Sequence, residues 1–169
     1  MSPAKLTFQT VIGMLLVSLP VSAQGDGCAL LTRQEVEAAA GTKMNRSRPV
    51  DRTFFGVVST GCTYKADDWR VEVRVERGRD LSTARGYMQT LRGVVKQTTA
   101  RDARAVRGLG DEAWWGPISP TDGILSVRRG PDILWVETQG KGGRGFGTLE
   151  TTRALTEKVL ARYAAGRNR

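Results

Sequence analysis

The sequence predicts an α+β fold, an antiparallel β-sheet with helices packed on it. Three observations predict it. Trp69-Arg70-Val71-Glu72-Val73-Arg74-Val75-Glu76 alternates apolar and polar without a break, the period of a half-buried strand. Leu81, Ala84, Met88, Leu91 and Val95 recur at spacings of three and four, the period of an amphipathic helix. The signals follow one another as helix, strands, helix, strands, helix, with no long linker between them. Residues 24–169 therefore read as a single domain behind a signal peptide at 1–23.

The signal peptide has its three parts: Lys5, the apolar run Val11–Pro20, and the small residues Val21-Ser22-Ala23 before a cut. The run is shorter than the roughly 20 apolar residues that cross a bilayer. An uncleaved anchor and acylation of Cys28 are the alternatives, although the charged Asp26 just before Cys28 is unlike a lipobox. Thr32 and Glu35 form a capping box, so a helix starts at Arg33, runs to Ala40 and stops at Gly41 as a left-handed cap. Leu31 and Val36 staple its start.

Thr42–Arg52 is polar, basic and broken by Pro49, and reads as a loop. Phe54–Val58 and Gly61–Lys65 read as short strands, the second bearing Cys62, with Ala66-Asp67-Asp68 as a turn. In the alternating strand, Trp69, Val71, Val73 and Val75 are expected to face a core, and Arg70, Glu72, Arg74 and Glu76 to face water. Asp80 or Ser82 caps a helix reaching about Gln97, with Arg85, Gln89, Arg92 and Lys96 on its solvated side. Gly86 and Gly93 within it either permit close backbone approach or are merely tolerated. Gly108-Leu109-Gly110-Asp111 is a turn before a strand at Glu112–Trp115, and Pro117–Gly123 is a loop. Ile124–Arg128 and Ile133–Gln139 form a hairpin around Arg129-Gly130-Pro131-Asp132. The glycine-rich Gly140–Gly147 leads into a last helix from Thr148 to about Ala164, with Leu155, Val159 and Tyr163 inward.

Cysteine and histidine bound the chemistry. Two cysteines in an exported chain, Cys28 and Cys62, read as one disulfide. It would close a loop of about 35 residues, which chain entropy values at ~3–4 kcal/mol. The rival reading pairs a reactive Cys62 with something else, but no histidine is present to activate its thiolate. The absence of histidine also excludes Ser-His-Asp triads, Cys-His pairs and histidine zinc sites. No Asp-rich loop has calcium spacing, so neither a metal nor a cofactor is expected. Asp67-Asp68 and Asp111-Glu112 are adjacent acids, and neighbours in a strand diverge, so both read as turn residues. No catalytic residue is assigned.

The formal charge is +9, and losing residues 1–23 removes Lys5 and no acid, leaving +8. Such a surface draws anionic partners through long-range, salt-sensitive fields. Solubility alone is the plainer explanation.

Three motifs stand in order along most of 28–165: Cys28-Ala29-Leu30-Leu31-Thr32, Gly61-Cys62-Thr63-Tyr64 and Gly108-Leu109-Gly110-Asp111-Glu112-Ala113. In this pattern the chain resembles bacterial secreted and lipoprotein domains of unknown function, marked by a Cys-x-Leu-Leu-Thr helix, a Gly-Cys-x-(Trp/Tyr) strand and a Gly-Leu-Gly-Asp-x-Ala turn. The resemblance implies a Cys28–Cys62 disulfide, a PsbP-like α/β sandwich, and an envelope binding or sensor role rather than catalysis. It brings no catalytic residues, and the lipobox cysteine of many such domains is absent here.

Two features carry the binding expectation. Lys141, Gly142, Gly143 and Arg144 lie between a strand and a helix, where backbone N–H groups at the helix start could meet an anion. The segment matches Gly-x-Gly-x-x-Gly, but no parallel strand or acidic residue follows, which removes dinucleotide binding. The export signal argues against nucleic acid, and a loop without a ligand is the plainer reading. Trp114 and Trp115, adjacent in a strand, point to opposite faces. One of them is expected to be exposed as a platform for a sugar ring or a partner side chain, unless both sheet faces are covered.

The expected function is an exported, non-catalytic binding module, periplasmic or secreted, for an anionic cell-envelope component or a partner protein. The alternatives are an assembly or inhibitor protein working through an apolar patch or a sheet edge, and a histidine-independent enzyme using carboxylates or Ser/Lys.

Overall fold

A computed structural model describes residues 27–54, 57–119, 121–140 and 147–167; the expected signal peptide at 1–23 and the segment 141–146 lie outside these. A 3-10 turn at Gly27–Ala29 precedes α1 (Arg33–Ala40), β1 (Arg46–Phe54), β2 (Val57–Lys65), β3 (Trp69–Arg77) and α2 (Leu81–Thr99). The chain continues with β4 (Arg104–Ala105), β5 (Glu112–Pro117), β6 (Gly123–Arg129), β7 (Asp132–Gly140) and α3 (Leu149–Arg167). The strands form one antiparallel sheet in the order β1-β2-β3-β7-β6-β5-β4, so the α+β expectation holds. β3 sits between β2 and β7, and the sheet is joined in its middle by strands far apart in sequence.

One face carries the main core. Val71, Val73 and Val75 of β3 join Leu134 and Val136 of β7 and Leu125 and Val127 of β6. Leu31 and Val36 at α1, and Leu155, Val159 and Tyr163 of α3, cover them. The opposite face is covered by α2, which lays Ala84 and Met88 against Ile133, with Tyr87 and Trp114 at the margin.

Local chemistry sets the helix ends. The Glu35 N–H donates to Thr32 Oγ1 at 3.2 Å, the Glu35 carboxylate accepts the Thr32 N–H at 2.9 Å, and Gly41 closes α1 at φ 66°. Asp80 caps α2 by accepting the Thr83 N–H at 2.7 Å. The Cys28–Cys62 disulfide is formed and ties the opening turn to β2. The backbones touch beside it: a Cβ on Gly27 would lie 2.2 Å from Gly61 Cα, so the two Gly-Cys pairs tolerate nothing larger there. The Tyr64 hydroxyl donates to the Leu31 carbonyl and reaches that of Cys28 at 3.3 Å.

Three expectations are corrected, and the open choice at Gly86 and Gly93 falls to mere tolerance. Thr42–Arg52 is not a loop: Arg46 onward is β1, an edge strand paired along its length with β2. Its Pro49 is tolerated because an edge strand can turn the missing N–H outward. Phe54–Val58 is not one strand either, since Phe54 ends β1 and Val57 begins β2. Gly86 and Gly93 have no close neighbour, with nothing within 4 Å of where a Cβ would sit, so they are tolerated rather than required. The polar side of β3 does not face water: Glu72, Arg74 and Glu76 are 3%, 9% and 2% exposed.

Candidate functional site

The buried polar row of β3 follows from strand order. A central strand has neighbours on both sides, and register decides what its charges meet. Arg70 stands opposite Lys65 and Gln139, Glu72 opposite Thr63 and Glu137, Arg74 opposite Gly61 and Trp135, and Glu76 opposite Ser59 and Ile133. Glu72 thus faces a second buried carboxylate, Glu137, which is 8% exposed. Like charges directly opposite repel, and two arginines hold the pair together.

Arg70 Nη2 donates to Glu72 Oε2, while Arg70 Nη1 donates to Gln139 at 3.3 Å and lies 4.0 Å from Glu137 Oε1. Arg74 lies 2.9 Å from Glu72 Oε1 through Nε and 3.5 Å from Glu76 Oε1 through Nη1. Its guanidinium centre stacks 3.0 Å from the centroid of the Trp135 ring. Thr63 Oγ1 donates to Glu72 at 3.0 Å, Gln139 Nε2 donates to Glu137, and the Tyr87 hydroxyl from α2 bonds to Glu76.

Burial sets the electrostatics. It pushes the Glu76 carboxyl above the usual range, with Arg74 and Tyr87 pulling back, and does the same to Glu137 against the pull of Arg70. Burial also presses the basicity of Arg74 down, while Glu76 and Glu72 favour its charge. The Tyr87 phenol is pushed up by burial and by the neighbouring Glu76. Not every polar atom is matched: Ser59 Oγ, Arg70 Nε, Arg74 Nε, Glu76 Oε2 and Trp135 Nε1 are buried without a hydrogen bond. The Arg74 Nε–H is close to Glu72 but not aimed at it. Two cations here oppose three acids, and the acids that could move protons are engaged by arginine.

The same face continues outward. Ser59, Thr63 and Lys65 of β2 share it, and beyond them Arg46, Arg48 and Arg52 of β1, whose partners in register are Lys65, Thr63 and Ser59. These three arginines and Lys65 are exposed, and none is in an ion pair with a described acid.

The two tryptophans lie on opposite faces, and neither is an exposed platform. Trp115 is 8% exposed within the α3-side core, with Arg104 4.7 Å from its ring centroid. Trp114 is half-buried under α2: Arg92 sits 3.6 Å from its ring centroid, and its Nε1–H donates to Glu112 at 2.7 Å. Both faces of the sheet are covered at this strand, which removes the platform expected of one ring. The cavity between Trp114 and Met88, Leu91 and Val95 measures about 10 Å³, room for one water and no ligand. Lys141, Gly142, Gly143 and Arg144 lie outside the described residues. Asp111 and Glu112 are more than turn residues, since both clamp Arg128, at 3.1 and 3.3 Å.

No group of three or more metal-ligating side chains occurs among the described residues. No described helix is long and apolar enough to cross a membrane. Trp135, Glu137, Gln139 and the β1 arginines escaped the sequence reading. The signal for them is the period of two in Trp135-Val136-Glu137-Thr138-Gln139 and in Arg46-Ser47-Arg48.

No family model matches the chain, and no curated protein matches it. Among solved structures it is similar to the extracellular domain of PknH from Mycobacterium tuberculosis, with a TM-score of 0.53 and 13% identity. The match covers 87% of this chain and 98% of that one, and at this identity it is a likeness of fold.

Proposed function

We propose that the protein is an exported, non-catalytic binding module for an anionic component of the cell envelope. The observation that carries this reading is how charge is distributed over the sheet. Acids of the sheet are engaged by arginines of the fold: the buried Glu72 and Glu76 by Arg74 and Asp132 by Arg77, and the more exposed Asp111 and Glu112 by Arg128. Among the described residues, the cations at the β1 side of the same sheet have no such partner. A surplus of +8 after loss of the signal peptide is therefore presented outward rather than cancelled within.

Export is supported by the disulfide and by fold likeness to a domain described as extracellular. The shared motifs with secreted and lipoprotein domains belong to the same proposal. Binding is favoured over catalysis because the buried carboxylates are held by arginine rather than aimed into a cleft. An assembly role through an apolar patch is less well supported. Among the described residues the exposed large hydrophobic side chains are Val58 on β2 and Leu81 and Val94 on α2. The last two are thirteen residues apart, about 20 Å along the helix.

Sedimentation of the purified protein with envelope fractions tests the reading. The expected result is co-sedimentation at low salt and release as salt rises. Retention indifferent to salt, or no retention at any salt, overturns it.

A further inference from the structure

Resting on that reading, we propose that the arginine row of edge strand β1 is a docking site for a linear, phosphate-bearing polymer. Side chains on one face of a strand repeat every second residue, about 7 Å apart. Arg46, Arg48 and Arg52 share one parity and therefore one face, and Arg46 stands directly opposite Lys65. All four are exposed. Asp51, the acid within β1, has the other parity and the other face. The row is about 20 Å long.

Its field is not cancelled from the neighbouring strands. Glu72 and Glu76 lie two strands inward and Glu137 three, and each is held near Arg70 or Arg74. Guanidinium forks match phosphate oxygens in pairs. A straight row of them suits a chain whose anions recur along its length, whereas a single small anion would meet one fork only.

Two other occupants fit worse. An added strand needs a free backbone edge, and Pro49 at the middle of β1 removes a donor there while the charged side chains resist strand pairing. A lipid surface is best held by cations flanking an apolar wedge. The residue inside the row is Val50, which is half-buried, and the exposed Val58 is on the opposite face.

The test is titration of the full protein with poly(glycerol phosphate) between 50 and 200 mM salt. Four cations on a flexible polyanion give a slope of about −3 in log K against log salt, roughly a 50-fold loss of affinity over that range. The triple variant Arg46→Gln/Arg48→Gln/Arg52→Gln is expected to bind at least tenfold more weakly, with a slope near −1. The corresponding triple lysine variant keeps most of the slope. The control Arg85→Gln/Arg101→Gln/Arg107→Gln has the same net charge, and the three arginines it removes are also exposed; it should bind within about threefold of the parent.

Equal losses in the two glutamine variants mean diffuse attraction and overturn the proposal. So does preference for phosphatidylglycerol vesicles over the polymer. If the parent binds envelope fractions but not the polymer, the row is not the site although the broader reading survives. If it binds neither at low salt, both fall.

Discussion

Replacing Glu35 by Gln is expected to destabilise the protein by about 1–2 kcal/mol at neutral pH and almost not at all near pH 2. Glu35 joins three segments. Its carboxylate accepts from the Thr32 N–H and hydroxyl, from Arg162 Nη1 at 2.5 Å and Nη2 at 2.9 Å, and lies 3.6 Å from Lys158. Arg162 also donates to the Leu30 carbonyl at 3.1 Å, so the pair fixes the start of α1 against the end of α3. The Arg162 bond, ahead of those from Thr32, lowers the Glu35 carboxyl from 4.5 to about 2. A shift of that size corresponds to an upper value of about 3 kcal/mol. The side chain keeps 20% of its surface in solvent, and screening cuts that figure by about half.

The sign follows from the direction of the shift. A carboxyl depressed by folding lends stability that is complete above 4.5 and is lost as the pH falls toward 2. Gln preserves the reciprocal cap while removing the charge, whereas Ala removes both and should cost about 1 kcal/mol more. Urea denaturation followed by tryptophan fluorescence at pH 7 and pH 2 reads the difference. The parent and the Gln variant should come within about half a kcal/mol of each other at pH 2. A deficit as large at pH 2 as at pH 7 would refute an ionic origin for the clamp.

Glu137→Gln should act in the opposite sense. Its carboxyl is raised by burial, so its folded-state stability is complete below 4.5 and declines as pH rises; the substitution should be neutral or stabilising by up to about 1 kcal/mol at pH 7, with no effect below pH 4. Urea midpoints at the two pH values decide it, and a loss above about 1 kcal/mol at pH 7 would contradict the reasoning. Replacing Cys28 and Cys62 together by Ala should cost about 4 kcal/mol, from a bridge spanning 34 positions. A change below about 1 kcal/mol in the urea-derived stability would count against that chain-entropy account.

What could be read in advance was local. α1 was legible to the residue because its ends are set by Thr32, Glu35 and Gly41, neighbours in sequence. β1 was not, because its stability comes from pairing with β2 and not from a buried face of its own. An edge strand exposed on both sides keeps no apolar alternation, and Arg46-Ser47-Arg48-Pro49 looks like loop until its partner is known. The apolar run through Phe54 and Val57 misled for a related reason: one strand ends at Phe54 and the next begins at Val57, and hydrophobicity alone does not show where. The meeting of β3 with β7 joins residues more than fifty positions apart, and no local pattern encodes that.

The polar face of the sheet shows how far a pattern can carry once register is known. Alternation in β3 implied a dry side and a wet side, which holds for a sheet open to solvent on one face. Here β3 is central and its polar side is buried, so its charges needed an internal solution. That solution is written in their signs: Arg70, Glu72, Arg74 and Glu76 alternate along one face, so each charge finds its opposite two residues away. β1 has the same period of two with one sign only, at Arg46, Arg48 and Arg52. A row of alternating sign can be buried because it neutralises itself. A row of one sign must stay at the surface, where water and dissolved ions can solvate and screen it.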